Sequence, residues 1–193
     1  MDWSKILIVA AHPDDQVLGC GATANCKVRE YDADVLELVI GKGRGDLLDN
    51  RFDTVPLIEF AQQIEAVITV FEPTIILTHS RCDLNIDHRI IHDAVRTACR
   101  PLTDVTKRLS ILAFESPSST EVGVYAFSPT VYVPVMERDV QYKINDLLHR
   151  YPEEMRLFPH PRSEEYLFNL AQVRGAACGH EYAEAYEAVR IKE

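Results

Sequence analysis

The sequence predicts a single α/β domain of Rossmann-like type, a mostly parallel sheet with helices on both faces. Three observations carry this. Short apolar runs alternate along the chain with stretches of helical periodicity, the pattern of βαβ units. The runs are continuous, as in strands buried on both faces. The 193 residues contain no linker, repeat or low-complexity tract, which suits one domain spanning 1–193.

The elements follow in order. Lys5 to Ala11 (KILIVAA) reads as a buried strand, closed by Pro13, which has no amide to donate. Val17 to about Glu30 reads as a helix weakened by Gly19 and Gly21, with Asp14 or Asp15 as its cap. Val35 to Ile40 is a second strand, followed by a glycine-rich loop from Gly41 to Gly45. Between Pro56 and Phe71, apolar residues at 57, 60, 61, 64, 67, 68 and 71 mark an amphipathic helix, with Thr54 as a candidate cap. Thr74 to Thr78 is a third strand, and Asp87 to about Arg100 a helix stopped by Pro101. Leu109 to Glu115 and Thr130 to Val135 read as strands. Asp139 to about Met155 and Glu164 to about Ala177 read as helices, and Val189 to Ile191 as a weak last strand.

Composition narrows the function. A hydrophobic share of 47% with 26% charged residues is that of a folded globular protein. The net charge of −10 argues against nucleic acid and anionic membranes as partners. No apolar run approaches the roughly 20 residues of a membrane span. The start, MDWSK, lacks the basic lead of a signal peptide, so a cytoplasmic location is expected. Five scattered cysteines with no C-x-x-C point to neither a disulfide scaffold nor a cysteine zinc site. Gly19-Cys-Gly-Ala-Thr-Ala24 matches a dinucleotide fingerprint in letters only, because residues 12–18 separate it from the strand.

Chemistry-bearing residues gather after the first and third strands. His12, Asp14 and Asp15 follow the first; His79, Asp83, Asp87, His88 and His92 follow the third. In such sheets both places lie on the ligand-binding edge. A turn there lets His12 and Asp15 face one point while Asp14 points elsewhere. His88 offers a third ligand, and a His/Asp/His set suits Zn²⁺ while leaving a position open for water. Asp87 is placed to cap the helix or to orient a ligand from behind. His88 and His92 share a helix face, yet HRIIH is not the H-E-x-x-H motif, and that spacing alone makes no site. The plainer alternative is a strand end with a capping Asp and a surface His; two clusters at one edge weigh against it.

Three segments give the chain a resemblance to the LmbE-like, or PIG-L, family of zinc-dependent N-acetyl-sugar deacetylases: AHPDDQVLGCG near the start, DLNIDHR at 83–89 and FPHPRS at 158–163. DNRFDTVPL at 49–57 and the terminal AEAYEAVR are similar to one branch of it. The resemblance implies that His12, Asp15 and His88 bind zinc (or another divalent metal such as Fe²⁺) and that Asp14 is the general base. It implies release of acetate from an amino sugar, with a nucleotide-linked or glycoconjugate precursor as the expected substrate class.

The chain departs from the family pattern in places. Gln16 stands where the family has Glu, which loses charge behind the metal. Asn85 stands where many members have His, so an oxyanion donor is missing and His160 is a candidate substitute. The stretch after the second strand is short, and Arg44, Arg51 or Arg162 are candidates to contact substrate, Arg162 because its fork suits phosphate. Two alternatives remain: a non-catalytic sugar- or metal-binding protein on the same fold, and a hydrolase of another small N-acyl amide. Tyr182 and Tyr186 near the end are the only hint of a homo-oligomer, and a packed terminal helix would explain them equally.

Overall fold

The computed structural model describes residues 1–41, 50–123 and 125–192. Its centre is a six-stranded sheet in the order β2-β1-β3-β4-β6-β5. Strands β1 (Lys5–Ala10), β2 (Asp34–Val39), β3 (Ile75–His79) and β4 (Ser110–Phe114) run parallel; β6 (Tyr182–Arg190) is antiparallel to both β4 and β5 (Val131–Val135). The mixed sheet thus matches the expected mostly parallel α/β architecture.

The continuous apolar runs have a direct cause. Along β1, Leu7 and Val9 point to one face, where they pack with Phe60, Ile64, Ile91 and Val95 from α2 (Leu57–Phe71) and α3 (Ile86–Ala98). Ile6 and Ile8 point to the other, where they meet Cys20 of α1 (Asp15–Tyr31), Leu77 and Phe114. Behind α1 lie α5 (Glu137–Arg150) and α6 (Glu164–Cys178), joined to it through Leu18, Ile144, Leu147 and Leu167. Both faces of every central strand are covered, so neither can be polar.

Gly19 explains the false fingerprint. A Cβ there would lie 2.2 Å from the ring of Phe114, so the glycine is needed for α1 to approach β4. One residue later α1 kinks, with Cys20 at φ −146° and ψ 17°. The amides of Ala22 and Thr23, freed by the kink, donate to the carboxylate of Glu184 on β6 at 3.3 and 2.7 Å. Lys143 closes on the same carboxylate at 2.7 Å. This buried pair anchors the helix that begins with Asp15.

The structure corrects several expectations. The weak last strand, expected over 189–191, covers Tyr182–Arg190 as the sheet's penultimate strand. Tyr182 and Tyr186 are therefore buried strand residues rather than parts of a terminal helix, and give no support to an oligomer. Thr54 does not cap α2; its hydroxyl donates to Arg51 O at 2.7 Å within a single 3₁₀ turn, Phe52–Thr54. A short helix, α4 (Asp104–Arg108), interrupts the connection after Pro101, capped by Thr103. Too few residues lie in it for periodicity to have shown. No helix among the described residues is long and apolar enough to cross a membrane.

Candidate metal centre

Strands β1 and β3 are adjacent and parallel, so their carboxyl ends open on one crevice. The turn after β1 is closed by two bonds: Asp15 Oδ2 accepts the amide of His12 at 2.9 Å, and the amide of Asp15 reaches back to His12 O at 3.4 Å. This turn forces Asp14 to φ 99° and ψ −36°, backbone that L residues avoid and that typically costs about 1–3 kcal/mol. A strained acidic residue at a strand end is a mark of a functional position.

Asp15 is the hub. Its Oδ2 lies 3.5 Å from His12 Nδ1 and 3.3 Å from His88 Nε2. Two donors each about 2.0–2.2 Å from a tetrahedral ion stand roughly 3.3–3.6 Å apart, so these spacings are those a shared ion would impose. His12, Asp15 and His88 form one of two donor groups compact enough for a metal among the described residues. The other is His79, Asp83 and His88. Hydrogen bonding decides between them. Nε2 of His79 accepts the amide of Ala11 at 2.9 Å, and its Nδ1 faces Ser116 Oγ at 3.3 Å. Both ring nitrogens are taken, so His79 has no lone pair for an ion. The mixed nitrogen and oxygen set of the first group fits a divalent metal with an open position.

Carboxylates stand behind both histidines of this donor group. His12 Nε2 donates to Asp87 Oδ2 at 3.0 Å, which leaves Nδ1 facing Asp15. Asp87 Oδ1 accepts the amide of Phe52 at 3.0 Å, and the Phe52 ring lies beside that of His12 with centroids 5.7 Å apart. His88 Nδ1 lies 3.0 Å from Asp83 Oδ2, without the alignment of a formed hydrogen bond. Asp83 is fixed in turn by Ser119 Oγ at 2.9 Å, Thr120 Oγ1 at 3.3 Å and the amide of Asn85 at 2.8 Å. Such outer carboxylates set ring orientation and basicity at metal sites.

The charges follow from the packing. Burial opposes charge on His12, but Asp15 and Asp87 outweigh it and hold the ring up at about 9. Burial likewise opposes charge on His88, and Asp15 and Asp83 overcome it, to about 10. Burial and the neighbouring charge of His88 push His79 down to about 3, which keeps it neutral. Asp15 is buried too, yet the charge of His88 and the hydrogen bonds of His88 and His12 hold its carboxyl well below the usual range. Asp14 moves the other way: burial and the charge of Asp15 push it up to about 7, against the pull of Arg162.

The remaining expected site residues divide. Asp87 stands behind His12, but it does not cap α3; Asn85 does, its Oδ1 accepting the amide of Asp87 at 2.9 Å. Arg162 reaches the site and pairs with Asp14 at 2.7 Å. His160 is exposed, and its Nδ1 accepts the amide of Arg162 at 3.0 Å. Gln16 is buried, and its amide donates to Glu37 at 3.4 Å and to Tyr151 at 3.3 Å. Arg51 is exposed beside Phe52. Arg44 lies outside the described residues. His92 is no ligand here: its Nδ1 faces His79 O at 2.8 Å.

Sequence reasoning left the roles of His79, Asp83, Phe52 and Glu154 unassigned. His79 and Asp83 stand inside the second cluster and were within reach of it. Phe52 stands inside the DNRFDTVPL segment, which does not tell that it meets His12, and Glu154, 3.1 Å from Arg162, carries no local signal.

Comparison with solved structures shows what the fold is similar to. No family model and no curated protein matches the chain. Solved structures match at TM-scores of 0.65–0.74 and 15–18% identity. One is an N,N'-diacetylchitobiose deacetylase from Pyrococcus horikoshii: TM-score 0.66, 15% identity, 95% of this chain and 83% of that one. A second is the zinc-inhibited form of teicoplanin deacetylase Orf2: TM-score 0.68, 17% identity, 98% and 99% covered. A third is GalB, a 4-carboxy-2-hydroxymuconate hydratase from Pseudomonas putida KT2440: TM-score 0.69, 17% identity, 98% of each chain. Two of these three neighbours are deacetylases by name, one is a hydratase, and all share this fold.

Proposed function

We propose that the chain is a metal-dependent N-deacetylase of the LmbE-like, PIG-L type, acting on an N-acetylated amino sugar. The observation that carries this is one juxtaposition: a strained, buried Asp14 beside a compact His12, Asp15 and His88 donor set. The deacetylase names of two structural neighbours support it.

His12, Asp15 and His88 would hold the ion, Zn²⁺ in the first instance and Fe²⁺ in the second. A divalent ion so held supplies Lewis acidity, which lowers the pKa of water toward about 7 and polarises an acyl carbonyl. Asp14, raised to about 7, is poised as a base near neutral pH. It takes a proton from the attacking water as the water oxygen bonds to the acyl carbon. The C–N bond then breaks, and Asp14 returns that proton to the amine. Acetate and a free amino sugar leave. Asp87 and Asp83 keep the two rings turned toward Asp15. Asn85 Oδ1 is taken by the helix cap, which leaves its Nδ2 to donate to substrate. His160 keeps only Nε2 for a proton role, so the leaving amine is given to Asp14.

The hydratase among the neighbours gives a second reading specific content, because addition of water to an alkene can use the same base and donor set. One screen separates them. Metal-loaded protein is incubated with neutral and nucleotide-linked N-acetylhexosamines, and acetate is measured. Acetate release that Asp14→Asn abolishes is expected. Binding without release would favour the non-catalytic reading; hydration of an unsaturated acid with no acetate from any sugar would favour the hydratase.

A further inference from the structure

Arg162 lies in the turn between α5 and α6, and its backbone is pinned on both sides. Its amide donates to His160 Nδ1 at 3.0 Å, and its carbonyl accepts the amide of Arg156 at 3.2 Å. From that fixed origin the guanidinium, 17% exposed, reaches three partners. Nη1 donates to Asp14 Oδ2 at 2.7 Å and to Glu154 Oε2 at 3.1 Å, and Nε donates to Ser118 Oγ at 3.0 Å.

An arginine that reads a substrate phosphate needs its fork free. Here Nη1 and Nε are both taken, and two carboxylates already balance the single positive charge. An incoming anion would have to displace one of them, in a crevice that also holds Asp15, Asp83 and Asp87. The pair does something else for Asp14. The backbone of Asp14 is strained, and among the described residues only its Oδ2 is hydrogen-bonded to a side chain. Oδ1 is the oxygen left for a proton.

We propose that Arg162 is a positioning residue, holding Oδ2 of Asp14 so that Oδ1 is presented to the reacting water. Glu154, on the same guanidinium nitrogen, sets Arg162 and keeps it off substrate anions. This rests on Asp14 acting as the base, and it reverses the expectation that Arg162 binds phosphate.

The test compares zinc-loaded wild type, Arg162→Gln, Arg162→Lys and Glu154→Gln on N,N'-diacetylchitobiose and on N-acetylglucosamine 1-phosphate. Misplacing a reacting group by an ångström costs on the order of 10²-fold in rate. Arg162→Gln is expected to lose kcat on that scale on the neutral sugar, with KM and zinc content unchanged. Arg162→Lys restores part of the loss. Glu154→Gln lowers kcat less and lowers KM for the phosphorylated sugar, because it removes one of the two negative charges that balance Arg162. Unchanged kcat in Arg162→Gln with a raised KM for the phosphorylated sugar would overturn the proposal and make Arg162 the anion reader.

A wild type that binds zinc and releases acetate from neither sugar refutes the deacetylase reading, and the pairing is then judged without turnover. A double-mutant cycle in unfolding of Asp14→Asn and Arg162→Gln is expected to show coupling of about tenfold in the unfolding constant. Additive effects in that cycle would overturn the positioning role on their own.

Discussion

The ring of His79 lies against that of His88, with centroids 3.9 Å apart and planes at 18°. His79 is outside the proposed donor set, yet it is tied through the amide of Ala11 to the chain segment that bears His12. It therefore sets the distance between the turn bearing His12 and the helix bearing His88. His79→Phe keeps the stack and removes both ring nitrogens. The loss of such a supporting contact typically costs about 10–100-fold in metal affinity. Competition with a chromophoric chelator measures it; affinity equal to wild type would deny His79 this role.

Asp14 and the three donors separate binding from turnover. Asp14→Asn keeps the side-chain volume and contributes no ligand to the set, so metal content stays that of wild type. Loss of a general base lowers turnover by about 10²–10⁴-fold. A variant that loses its metal as well would move Asp14 into the ligand set.

Metal binding is coupled to protons. His12 and His88 are held up at about 9 and about 10, so both carry an extra proton at neutral pH when no metal is bound. An ion held by the proposed donor set would displace both protons. Raising the pH removes the competitor, so affinity rises with pH, by up to about 100-fold per unit below 9, two protons being released. Calorimetry in buffers of different ionisation enthalpy counts the protons directly. Release of none would show that the two rings are neutral before the metal arrives.

Gly19 links the core to the site. A Cβ there meets Phe114, whose ring makes an edge contact with His79 at 4.8 Å. Gly19→Ala overpacks this contact, at a typical cost of about 1–3 kcal/mol. Denaturant unfolding gives the loss of stability, and a fall in metal affinity beyond it would show the strain reaching His79.

Much of the fold was legible because the parallel strands are covered on both faces, so KILIVAA and TIILT stand out as uninterrupted apolar runs. Strand β6 was not, because Tyr182–Arg190 alternates alanine with glutamate and tyrosine, and its acidic residues serve partners distant in sequence: Glu184 caps the kink of α1, and Glu187 accepts the hydroxyl of Ser80 at 2.5 Å. At the site, His12, Asp14, Asp15 and His88 could be named from two short segments at strand ends. The role of Asp87 stayed open between cap and orienter because Asn85 and Asp87 are both good capping residues, and only the structure shows Asp87 taken by His12 and Phe52. Glu154 was beyond reach: it is one acid among thirty, distinguished only by the arginine it meets.

Metal stoichiometry after reconstitution, for wild type and His12→Ala, is the most direct measurement. It needs no substrate. One divalent ion per wild-type chain, lost in His12→Ala, is the expected result. A wild type that takes up no ion at any pH up to 9 would contradict the His12, Asp15 and His88 centre, and with it the deacetylase chemistry built on it.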